Sequence, residues 1–355
     1  MNTKNTSLLR QHLPWHLSRF KTLLFLLNGL ILSSHVTLSR IAACCGYGPY
    51  VKNESLQKRF SRFLKEVPIE ALVWAKLLLA LLKIPRRAPL ELLIDRTNWQ
   101  RGQHSLNFLV VALRWNKTAL PLYVQAIFEQ DGGNSTYAQV QEILQLVLQT
   151  FGKKRIKMIV GDREFGSFKR IKLYQHLGIP FVVRLKEQWH YAKPKREQGP
   201  VLLHTLFEDL KVGQSRRIDN LSLGQHQKQE VFCSVSAKRI TEKEVLIVAH
   251  SPCLQQPLSA YKRRWRIERC FLECKTQGFH LESTGIMDEQ RLQSLIRVIA
   301  LARSMILGQA FKETQDKPIV IKKHGYGALS LFKLGFQLLR ARSPAYLLAS
   351  LQIVR

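Results

Sequence analysis

The chain reads as an α/β protein, and two features of its residue pattern say so. Three consecutive β-rich runs are followed by an alternation of helix and strand, and the helices carry their own start and stop signals. With 355 residues and 46% hydrophobic content, it can form two or three domains around one sizeable core.

Residues 1–84 read as helical and basic, with twelve Lys and Arg against three Glu. Within them, residues 36–45 and 55–64 have the spacing of two short amphipathic helices, joined by the turn Gly46-Tyr47-Gly48-Pro49. The pair suits a helix-turn-helix relative with a long connection, and equally a helical cap on the next domain. The stretch Pro85-Arg86-Arg87-Ala88-Pro89 marks a boundary, after which residues 90–95, 108–115 and 120–128 read as a three-stranded meander. A helix is predicted from Thr136, where Gln139 completes a capping box. Its apolar positions are Val140, Ile143, Leu144 and Val147, and Gly152 follows its end. Then come a strand over 156–160, a helix over 167–177 closed by Gly178 and Pro180, and a strand over 181–185. This order of elements is that of a ribonuclease H-like domain.

The alternation then stops. Residues 187–255 open with the turn-rich stretch 192–200 and continue in short alternating runs at 230–235 and 245–249, as in a β-rich insertion. A helix beginning near Tyr261 returns the chain to the core, and residues 291–311 and 328–339 add C-terminal helices. The division that follows is a basic helical region (1–84), a first core segment (85–186), the insertion (187–255), a core helix (256–285) and a C-terminal helical region (286–355).

Lys and Arg outnumber Asp and Glu by 55 to 25, a formal charge of +30. Such a surplus repels itself unless a polyanion is near, so nucleic acid is the leading partner and an anionic membrane surface the second. Membrane residence has little in its favour: the run 23–32 is broken by Asn28-Gly29, and the run 77–82 is closed by Lys76 and Lys83. Six cysteines, with no CxxC pair and no Cys/His zinc spacing, read as reduced thiols in a cytosolic protein.

The chemistry is concentrated in three places. An apolar strand runs into Asp95 in Leu92-Leu93-Ile94-Asp95, and another into Asp162 in Ile159-Val160-Gly161-Asp162. An Asp at the point where a strand leaves the core is rigidly held yet open to solvent, as a hard divalent cation requires. Asp95 equally suits the start of a turn, and Asp162 the cap of a helix. Glu164 is the nearest rival carboxylate and is assigned to the surface beyond the strand end. The third place is the run 261–275. At about 100° per residue, a helix there sets Tyr261, Arg264, Glu268 and Lys275 along one face. A solvated helix with an Arg264–Glu268 pair is the plain alternative.

The spacing Tyr261-x2-Arg264-x3-Glu268-x6-Lys275 resembles the YREK signature of the IS-four family of DDE transposases, and Asp95, Asp162 and Glu268 follow that family's order along the chain. The resemblance implies an insertion-sequence transposase that cleaves double-stranded DNA at terminal inverted repeats and joins it to target DNA, working as a homodimer. It implies metal ligation by Asp95, Asp162 and Glu268, with two Mg²⁺ ions or Mn²⁺ in their place, and DNA contacts from Tyr261, Arg264 and Lys275. In relatives that release their ends through a hairpin, an aromatic at the position of Trp265 stacks on a flipped base; a core Trp is the alternative. Trp189 is the one Trp available for a second stacking role from the insertion, and Arg184 is a further DNA contact or the partner of a nearby acid. Tyr261 as a covalent nucleophile would need an Arg/His cluster, and no His is near it in sequence. Two other functions are compatible with the charge: a DNA-binding regulator or decayed transposase without catalysis, and a nuclease that cuts but does not join.

Overall fold

The computed structural model describes residues 3–47, 51–101, 104–127, 135–186, 191–193, 199–224, 230–323 and 327–352. Five helices come first: α1 (Thr3–His12), α2 (Leu17–Ser33), α3 (Leu38–Cys44), α4 (Asn53–Glu66) and α5 (Ala71–Leu81). The expected helix pair is therefore present as α3 and α4, while Gly48 and Pro49 of its turn lie outside the described residues. In α4, Leu56, Phe60, Phe63 and Leu64 are buried, and Ser55, Lys58, Arg62 and Lys65 face solvent.

The strands β1 (Leu90–Arg101), β2 (His104–Trp115) and β3 (Thr118–Ile127) form the meander. Next come α6 (Tyr137–Phe151), β4 (Ile156–Gly161), α7 (Phe168–Leu177) and β5 (Phe181–Arg184). Both helices begin and end where their residues dictate. Thr136 and Gln139 cap α6 reciprocally, and Gly178, at φ 63°, takes the left-handed conformation that closes α7. The insertion contributes β6 (Tyr191–Lys193), β7 (Val201–Leu202), β8 (Ser215–Gly224), β9 (Glu230–Arg239) and β10 (Val245–His250). All ten strands form one mixed sheet, in the order β3-β2-β1-β4-β5-β10-β9-β8-β6-β7. The β1–β4 and β4–β5 pairs are parallel. β10 pairs antiparallel with β5, so the insertion prolongs the sheet.

The chain returns through α8 (Pro257–Lys262), α9 (Trp265–Leu272) and a π-helical turn, Glu273–Gln277, before α10 (Glu289–Asp316) and α11 (Leu331–Gln352). α10 is the centre of the helical layer and packs on β3, α2, α4, α5 and α11. Among the described residues it is the one helix long and apolar enough to cross a membrane unaided, yet most of it is buried inside the protein. Arg303 of α10 is fully buried, donates to Thr118 Oγ1 at 2.8 Å and pairs with Glu273, which ties the π-helical turn to the edge strand.

Two expectations change. β1 does not stop at Asp95 but continues six residues to Arg101 as a ribbon with β2. The run 261–275 is not one regular helix. Around Arg263 and Arg264 the bonds tighten to i→i−3, and the segment ends in the π-helical turn.

Candidate active site

The parallel pairing of β1 and β4 ends with Ile94 opposite Gly161, so Asp95 and Asp162 are the next residues on neighbouring strands. Asp95 thus sits where β1 parts from β4, although β1 itself runs on. Asp162 follows the end of β4 and also caps the short 3₁₀ turn Arg163–Gly166, accepting from the Arg163 amide at 2.7 Å. Its expected capping role and its place beside Asp95 coexist. Gly161 makes this approach possible, because a Cβ there would lie 2.7 Å from that of Phe165 and 3.0 Å from the Ile94 side chain.

The α8–α9 junction lies over these two acids. The Tyr261 hydroxyl donates to Asp162 Oδ1 at 3.1 Å, and Arg264 Nη1 donates to Asp95 Oδ2 at 2.9 Å. The other arm of the same guanidinium pairs with Glu268. One fork therefore bridges the first and third carboxylates. Asp95, Asp162, Arg264, Glu268 and Lys275 line a single open cleft of about 370 Å³ with Thr97 and Asn98. The tightened turn and the π-helical turn change the helix without dispersing its functional face.

Burial pushes the Asp95 carboxyl up to about 7; Arg264 opposes this, and the charges of Asp162 and Glu268 add to it. Burial alone would weaken the charge on Arg264, but Tyr261, Asp95, Asp162 and Glu268 hold it firmly protonated. Burial and the charge of Asp162 push the Tyr261 phenol up to about 12. At neutral pH it is a hydrogen-bond donor and not a nucleophilic phenolate.

The remaining candidates divide. Lys275 pairs with Glu282 at 3.6 Å, donates to the Asn98 carbonyl and lies 5.7 Å from the centre of the Trp99 ring. Arg184 pairs with Glu244 at 3.0 Å, which is the ion-pair alternative expected for it. Trp265 opens α9 with 63% of its surface exposed, which removes the core-Trp alternative. Trp189 lies outside the described residues. Glu164 is no surface residue: it pairs with Arg96 at 2.6 Å and accepts from the Ser135 amide at 2.8 Å, so it braces the strand beside the cleft. Arg96, Thr97 and Asn98 were missed by a reading that ended the strand at Asp95. The β-branched Thr97 was the available signal that it continues.

Residues 87–305 match the family model described as a transposase DDE domain. The chain belongs to the transposase DDE-domain family. No curated protein matches it. The matched span holds the whole sheet, the cleft and most of α10.

A divalent cation suits the donor set of this transposase domain. Asp95, Asp162 and Glu268 supply hard oxygen donors, and burial with the charges of Asp162 and Glu268 drives Asp95 toward protonation, which an added cation would oppose. Thr97 Oγ1, a further oxygen at the cleft, is buried without a hydrogen-bond partner. Among the described residues no three acidic, His or Cys side chains stand gathered to grip an ion as they are. The physical reason is Arg264, whose fork lies between Asp95 and Glu268.

This arrangement gives a pH dependence. The folded value of Asp95, about 7, lies above its ordinary 3.8, so the folded state holds the proton more tightly than the unfolded chain. Its contribution to stability is complete below about pH 4 and is lost as the pH rises through about 7. The melting temperature of the metal-free protein should carry a component that falls between about pH 4 and about pH 7 and is absent in Asp95→Asn. Identical pH profiles for the two proteins would contradict it.

Proposed function

We propose that the protein is an insertion-sequence transposase of the IS-four, YREK-bearing kind, which cleaves double-stranded DNA at terminal inverted repeats and transfers the ends to target DNA. The observation that carries this reading is the convergence of Asp95, Asp162 and Glu268, from two adjacent parallel strands and a distant helix, around Arg264 in one open cleft. The central strand order β3-β2-β1-β4-β5, with its two parallel pairs, supports a ribonuclease H-like core.

Asp95, Asp162 and Glu268 would hold two Mg²⁺ ions, or Mn²⁺; when bound, these activate a water or a 3′-hydroxyl and neutralise the leaving oxygen. The protein's own residues do the rest. Arg264 holds the carboxylates together in the free enzyme and is the nearest guanidinium for a phosphate oxygen once Glu268 leaves it. Tyr261 keeps Asp162 oriented through its hydroxyl. Lys275, at the cleft wall, supplies a second cation for the DNA backbone. Cleavage and joining are the same in-line displacement with different nucleophiles, so no covalent protein intermediate is needed.

The +30 charge and the exposed Lys58, Arg62 and Lys65 of α4 suit recognition of end DNA. Synapsis of two ends calls for a homodimer, and the reduced cysteines suit a cytoplasmic, nucleoid-associated protein. The test is incubation of the full chain with the DNA flanking its own gene in Mg²⁺, followed by mapping of 5′ and 3′ termini and a joining assay with pre-cut ends. Nicks at the repeats and joined products are expected. Binding without nicking would favour a regulator, and cutting without joining a nuclease.

Trp265 tests the route of end release. Since its ring is exposed, Trp265→Ala should leave the melting temperature unchanged. If the ring stacks on a flipped base, an interaction worth about 1–3 kcal/mol, nicked DNA should accumulate and hairpin yield fall roughly tenfold or more. Normal nicking with normal hairpin yield would rule out the stacking role.

A further inference from the structure

Glu91 lies four residues before Asp95 on the same face of β1, about 13 Å away along the strand, and is buried. Its surroundings are unusually cationic. Arg114 of β2 pairs with it across the strands, Lys157 of β4 donates to its Oε1 at 3.1 Å, and Arg263 of the α8–α9 junction reaches its Oε2 at 3.5 Å. Lys157 arrives there through an irregularity in the β1–β4 register between Leu90 and Glu91, a bulge that turns its side chain toward the acid. Arg266, from the first turn of α9, joins the group beside Arg114 and Arg263.

Four cations thus surround one carboxylate. A staple between helix and sheet would need one or two of them. Here Arg263 Nε and Arg266 Nη1 are buried without a hydrogen-bond partner, while the Lys157 side chain is half exposed.

We propose that Arg114, Lys157, Arg263 and Arg266 form a second anion site, which takes a phosphodiester of the DNA backbone on the same strand face as the catalytic acids. The proposal rests on the transposase reading for the identity of the anion. Arg263 and Arg264 are adjacent, so one helical junction serves both places: Arg264 at the cleft and Arg263 at this site. At 3.4 Å of rise per base pair, the 13 Å between Glu91 and Asp95 places the contacted phosphate about four nucleotides from the scissile one.

Arg266→Gln and Lys157→Gln test the site, since neither residue belongs to the catalytic cleft and Glu91 keeps other partners in both. Binding of an end duplex should be measured over a range of salt, with melting of the free protein as a control. Each variant should lower the slope of log affinity against log salt by about one, with melting unchanged. A methylphosphonate scan of the duplex should find a phosphate, about four nucleotides from the cut, whose neutralisation weakens the wild type but not Arg266→Gln. If both variants keep the wild-type slope while the wild type nicks DNA, the second site is wrong and the catalytic reading stands. If the slopes fall but the wild type never nicks, the site stands as a DNA contact and the catalytic reading is wrong.

Discussion

Asp95→Asn, Asp162→Asn and Glu268→Gln should each lower the nicking rate by more than about a hundredfold while leaving binding of end DNA within a few-fold of wild type. Residues that merely support a metal ligand are worth roughly 10- to 100-fold, so removal of a proposed ligand should exceed that. Each change deletes a charge with little change of shape. Asp95→Asn has a second consequence that separates it from simple damage: it removes a buried carboxylate already pushed up to about 7 by burial and by the charges of Asp162 and Glu268. The variant should therefore be no less stable than wild type near neutral pH, yet inactive. A rate near wild type in any of the three would remove that residue from the site.

Arg264→Ala should have the largest effect on stability. Its guanidinium is one-tenth exposed and is the cation that bridges Asp95 and Glu268, so its loss leaves acids facing one another across the cleft. Breaking a buried pair from one side costs about 3–5 kcal/mol, and the partial exposure of Glu268 places this case toward the lower figure. Mg²⁺ should restore part of the loss, because it supplies the missing positive charge. Arg264→Lys should keep more stability but little activity, since a single ammonium cannot reproduce the two-armed bridge. Chemical denaturation with and without Mg²⁺ measures both; an unchanged stability in Arg264→Ala would show that the bridge has no weight in the fold.

Much of the core was legible because its signals are local. Thr136 and Gln139 announce a helix start, Gly178 its end, and the apolar runs into Asp95 and Asp162 mark strands that emerge from the core. The spacing from Tyr261 to Lys275 placed four side chains on one face, and they do share one site. What the spacing could not show is the tightening at Arg263 and Arg264 or the π-helical turn, whose Glu273 meets Arg303 from a helix 30 residues later. Nor could it show β1 continuing past Asp95, because residues 96–101 are held by pairing with β2 rather than by apolar burial on both faces. β8 was missed for a similar reason: its first half, Ser215–Asn220, is polar and largely exposed. Glu164 was misjudged because its partners, Arg96 and Ser135, are remote in sequence. The cationic group at Glu91 needs a register irregularity, a cross-strand pair and a helix junction together, and no single stretch of the chain carries all three.

The most direct test of the central claim is anomalous scattering from Mn²⁺ in crystals of the full chain bound to end DNA. The account predicts Mn²⁺ density in contact with Asp95 and Asp162, with Glu268 turned from Arg264 toward the metal and Arg264 turned toward a phosphate. Mn²⁺ bound elsewhere on a protein that cleaves DNA, or a cleaved complex in which Arg264 still bridges Asp95 and Glu268, would contradict it.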